Sequence, residues 1–79
     1  KRIPMQVERT YNRTWEQIEL MLDRAEKKMK KWKDFFEDCR ERGDRDGMKD
    51  AARNFKALEG VIKTLKWTLG DVSVETPLE

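Results

Sequence analysis

Two apolar runs with a repeat of about 3.5 residues fill most of this chain, and one short turn separates them. Tyr11, Trp15, Ile18, Leu22, Ala25, Met29, Trp32, Phe36 and Cys39 alternate steps of four and three. Met48, Ala51, Phe55, Leu58, Ile62, Leu65 and Leu69 follow in steps of three and four. Such a repeat keeps one seam of a helix turned toward a neighbouring helix. The expected fold class is all-α. The pattern predicts a long antiparallel two-helix coiled-coil hairpin with short extended N- and C-terminal segments, dimerising into a four-helix bundle.

The punctuation divides a single domain over 1–79 into helix 1 at about 11–42, a turn at 43–47, helix 2 at about 48–69, and extended tails at 1–9 and 71–79. Thr14 followed by Gln17 fits a capping box, in which two orphan backbone N–H groups are satisfied reciprocally. Gly43 is free to take the left-handed conformation that closes a helix, and Gly70 repeats the signal after helix 2. Asp44 or Asp46 is suited to cap helix 2. Ile3, Met5 and Val7 alternate with polar residues around Pro4, and Val72 and Val74 alternate before Pro77; both read as extended. An extended segment leading into two helices is similar to the layout of ribbon-helix-helix DNA-binding dimers. That likeness covers Arg2–Tyr11 alone, and helix 1 is too long for that fold.

Folding the hairpin about residue 45 sets Cys39 against Ala51, Phe36 against Phe55, Trp32 against Leu58 and Met29 against Ile62. Helix 2 then ends near Leu22. Ile18, Trp15 and Tyr11 overhang, and either the tails or a second copy must cover them. An isolated helix pair leaves each seam residue half exposed, and closure into a four-helix bundle is the common remedy.

Helix 2 carries a second stripe opposite its seam: Ala57, Gly60, Thr64 and Trp67. A solvated face would hold lysine and glutamate there. Glycine inside a helix costs about 1 kcal/mol relative to alanine, so Gly60 points to close approach of another helix. Together with Leu20, Trp15 and Ile18, these residues are the expected surface for a partner or for self-association. Folded-back tails are the alternative cover.

Charge supplies the competing reading. Charged residues make up 43% of the chain, yet 18 basic and 16 acidic residues leave a net charge of only +2. Any attraction to nucleic acid must therefore come from local clustering. Lys27, Lys28, Lys30, Lys31 and Lys33 form such a cluster and are the possible phosphate contacts. Acidic residues at helical spacing temper it through Asp23–Lys27, Glu26–Lys30, Lys30–Asp34 and Lys33–Glu37.

With one cysteine and no histidine, zinc sites built on those ligands and an intrachain disulfide are out of reach. Carboxylate pairs such as Glu16–Glu19 and Asp34–Asp38 lie on charged helix faces, whereas acid–base catalysis needs an enclosed site that shifts a pKa. No Gly-rich phosphate loop occurs, since two aspartates sit between Gly43 and Gly47. No catalytic, cofactor-binding or metal-binding residues are expected. No apolar run approaches the roughly 20 residues of a membrane span, and no secretory hydrophobic region follows Lys1, so a cytoplasmic location is expected. The function expected is that of a small non-enzymatic protein-interaction module: an adaptor, inhibitor or regulator acting through helix faces, homodimeric and with a protein partner. The alternative is a dimeric hairpin that binds RNA or DNA through its lysine-rich face.

Overall fold

The computed structural model describes residues 7–79, and in it two α-helices pack against each other. They are α1, Trp15–Arg42, and α2, Arg45–Thr68. Among the described residues there is no strand; the expected extended pattern at Ile3 and Met5 lies outside them.

Helix α1 starts later than its seam pattern implies, because the capping box decides the boundary. The Thr14 hydroxyl accepts a hydrogen bond from the Gln17 backbone N–H at 3.1 Å, and the Gln17 side-chain oxygen accepts one from the Thr14 N–H at 2.8 Å. Tyr11, expected as the first seam residue, lies before this cap with φ 55° and is 86% exposed. It belongs to the lead-in, not to the coiled coil.

Both helices close with the same motif. Gly43 has φ 74°; its N–H donates to the Arg40 carbonyl, and the Asp44 N–H donates to that of Cys39 at 2.8 Å. At the end of α2, Gly70 has φ 83°, its N–H donates to Trp67, and the Asp71 N–H donates to Lys66 at 2.9 Å. These are the paired bonds of a Schellman closure, which needs a left-handed residue and so favours glycine.

The turn is shorter than expected because Asp44 serves both helices. Having completed the closure of α1, it turns its carboxylate to accept the Gly47 N–H at 2.9 Å and caps α2. Arg45, Asp46 and Gly47 are thus the first turn of α2, not loop. Gly47 has a packing role there. A Cβ at this position would lie 2.5 Å from Cys39 Sγ and 2.7 Å from an Asp44 carboxylate oxygen, so only glycine lets the two helix ends close this tightly.

Moving the fold axis to between Gly43 and Asp44 shifts the pairing toward the turn. Cys39 Sγ lies against Gly47, and Ile18, expected beyond the end of helix 2, shares a cleft with Leu65. The overhang therefore begins at Trp15. The seam itself is as the heptads indicate. Ala25, Cys39 and Ala51 are fully buried, while Leu22, Met29, Trp32, Phe36, Phe55, Leu58 and Ile62 are half-buried. Small side chains occupy the tight line between the helices, and large ones spread to either edge. With one contact face per helix, half-burial is the most they reach.

Candidate interaction surface

The seam leaves two edges. On one, Trp32, Phe36, Ala51 and Phe55 form a crevice of about 370 Å³ flanked by Lys33, Lys56 and Glu59. The C-terminal tail leaves the open end of the hairpin and returns along this edge toward the turn. Its Val74, Thr76 and Pro77 are half-buried, and Pro77 and Glu79 line a pocket with Lys56, Glu59, Gly60, Ile62 and Lys63. The tail is held by turns rather than as a strand. The Asp71 carboxylate accepts hydrogen bonds from the Ser73 hydroxyl at 2.7 Å and N–H at 2.9 Å, and the Val74 N–H returns to the Asp71 carbonyl. Those two Ser73 bonds, side chain first, hold the Asp71 carboxyl below its ordinary pKa. Val72, expected to alternate inward, is exposed.

Among the described residues nothing covers the opposite edge. Ile18, Leu20, Met21 and Leu65 line a cleft of about 410 Å³, with Arg13, Gln17 and Arg24 at its rim. Met21 is 50% exposed, and Phe35 and Val61 are also exposed on the same heptad flanks. Trp15 is 66% exposed at the end of the hairpin.

The stripe Ala57, Gly60, Thr64 and Trp67 runs along the exposed back of α2. The returning tail does not close over it. Trp67 remains 51% exposed, and a Cβ built on Gly60 meets nothing within 4 Å. The Thr64 hydroxyl donates to the Gly60 carbonyl at 2.9 Å and Thr68 to that of Thr64, so their polar groups are satisfied within the helix. Of the expected surface residues, Leu20 and Ile18 share one cleft; Trp15 sits beyond it, and the stripe lies on another face. Met21, Val61 and Phe35 complete the open edge. They are the heptad positions beside the seam.

The lysine cluster is divided by its pairs. Lys27 meets Asp23 at 3.1 Å and Lys30 meets Asp34 at 3.2 Å. Glu37 instead pairs with Arg40, so the expected Lys33–Glu37 pair is not made; nor is Glu26–Lys30. Among the described residues Lys28, Lys31 and Lys33 have no carboxylate partner within 4.0 Å. Trp32, in their midst, packs edge-on against Phe35 with ring centroids 5.8 Å apart.

Cys39 is fully buried at the turn, with the Arg42 guanidinium 3.5 Å and the Asp44 carboxylate 3.9 Å from its sulfur. Burial above all, then the neighbouring Asp44 charge, pushes its thiol pKa up. It is a packed thiol rather than an activated one. Among the described residues no group of three histidine, cysteine, aspartate or glutamate side chains is placed to hold a metal ion, and no helix is long and apolar enough to cross a membrane. Compared with known families, curated proteins and solved structures, the chain matches none.

Proposed function

We propose that this hairpin is a non-enzymatic protein-interaction module, an adaptor, inhibitor or regulator that works through uncovered helix faces. A second copy completing a four-helix bundle is the first partner to expect. The observation that carries the reading is the set of large apolar side chains left exposed on a well-capped hairpin: Trp15, Leu20, Met21, Val61 and Trp67. Large exposed apolar side chains gathered on helix faces mark contact sites on small proteins. Trp67 beside the small residues Gly60 and Thr64 has the makings of an interface anchor. Gly60 fits the same reading, since no described residue uses the space that its missing side chain leaves.

The unpaired Lys28, Lys31 and Lys33 favour a second reading, in which the hairpin binds RNA or DNA. One pair of variants separates the two. Replacing these three lysines with Gln takes the formal charge from +2 to −1 without touching the seam. Self-association should survive with a modest fall in on-rate, because exposed charges mainly steer encounter. Trp67→Ala should impair it strongly. A loss of binding in the triple Gln variant, with Trp67→Ala unaffected and a steep salt dependence, would favour nucleic acid instead.

A further inference from the structure

The open edge of the hairpin is cationic along α1, while its α2 flank carries one charge, Asp50, near the turn. Along α1, the positions flanking the seam on this side are Gln17, Met21, Arg24, Lys28, Lys31 and Phe35, spaced four, three, four, three and four. None is acidic. The opposite flank of the same helix begins Glu16, Glu19, Asp23 and Glu26. Helix α1 is thus cationic on one side of its seam and anionic on the other in its first half, although the chain as a whole is nearly neutral. Among the described residues, Arg24, Lys28 and Lys31 have no carboxylate within 4.0 Å. The lysines that are paired, Lys27 and Lys30, project elsewhere on the helix.

On this edge Ile18, Met21 and Leu65 line an apolar cleft near the open end, and Val61 sits one helical turn before Leu65. Phe35 is exposed on the same flank of α1 toward the turn, about 21 Å along the helix from Met21, with Lys28 between them. The C-terminal tail occupies the other edge and leaves this one open.

We infer that this groove receives an acidic amphipathic helix from another protein, its apolar side chains on Met21, Phe35 and Val61 and its carboxylates against Arg24, Lys28 and Lys31. This rests on the interaction-module reading and names the partner for one face. A second copy laid antiparallel along the same groove would bring the cationic flanks together, which disfavours self-pairing there. Phosphates would use the cations but have no need of the apolar floor.

The test uses the full chain and fluorescently labelled helical peptides of about 18 residues, long enough to span the groove. One carries leucines at helical spacing flanked by glutamates, one the same leucines flanked by lysines, and one the glutamates with the leucines replaced by serine. A single-stranded RNA of similar charge is the fourth probe. The leucine–glutamate peptide should bind at least tenfold more tightly than either other peptide and should not be displaced by the RNA. The variant R24E/K28E/K31E should reverse the preference toward the leucine–lysine peptide, and Met21→Asp should abolish binding of both. Circular dichroism confirms that each variant remains helical. Equal binding of the two leucine peptides, displacement by RNA, or no peptide binding overturns the inference. Sedimentation of the same samples separates that failure from failure of the wider reading. If no peptide binds but the chain self-associates through Trp67, only the acidic-helix assignment falls; if no peptide binds and the chain is a monomer at every concentration, both fall.

Discussion

Two glycines in α2 look alike in the sequence and differ in what surrounds them. Gly47→Ala should destabilise the protein by about 1–3 kcal/mol, because the added methyl meets Cys39 Sγ and Asp44 in a closed corner. Gly60→Ala should stabilise the isolated hairpin by about 1 kcal/mol, since its methyl enters open space and alanine is the better helix former. Urea denaturation of the two variants checks the contrast. Helix propensity alone predicts a gain at both positions. The capping box at Thr14 and the closures at Gly43 and Gly70 were legible from residue type and spacing. The role of Gly47 was not, because it depends on a sulfur eight residues away that only the closed turn brings near.

Cys39 sharpens the point. Its raised thiol pKa means that the folded chain holds the proton more tightly than the unfolded chain does. The resulting stabilisation is fully present below the ordinary thiol pKa and declines as the pH rises through it. Alkylation of the folded protein near neutral pH should be slow and should become fast in denaturant; quantifying modified thiol by mass spectrometry checks this. Rapid modification of the folded chain would contradict the burial described here.

At the scale of elements, the heptads located the seam of both helices, and 3.5-residue periodicity is a strong signal wherever it persists. The register was harder. A turn of five residues and a turn of two give the same apolar stripes, and Asp44 chooses between them by closing α1 and capping α2 at once. The tails failed for a different reason: alternation at Val72 and Val74 implies a strand only where an edge exists to pair with, and the described fold has none. Phe55, at the centre of α2, tests the packing. It is half-buried beside Trp32 and Phe36, so Phe55→Ala should cost about 2–3 kcal/mol, below the range for a fully enclosed phenylalanine. A thermal midpoint within a degree or two of the parent would mean that this layer contributes little.

At the scale of the whole molecule, the helices account for each other's seams and leave the rest exposed. Among the described residues three form the buried core, a small interior for a domain to draw its stability from. The candidate surface was partly legible in advance: the stripe on α2 and the Leu20 end stood out as apolar residues in solvated positions. Met21 and Phe35 were missed because each, taken singly, is an ordinary exposed hydrophobe, and their place on one flank beside α2 matters only when α1 and α2 lie side by side. The central claim is that a second copy covers the exposed Gly60–Trp67 face of α2. Sedimentation equilibrium of the unmutated protein over a wide concentration range tests it most directly, with Gly60→Leu in parallel to obstruct close helix approach while keeping α2 helical. The account predicts a concentration-dependent dimer for the parent and a monomer for Gly60→Leu. A parent that stays monomeric at every concentration would contradict it.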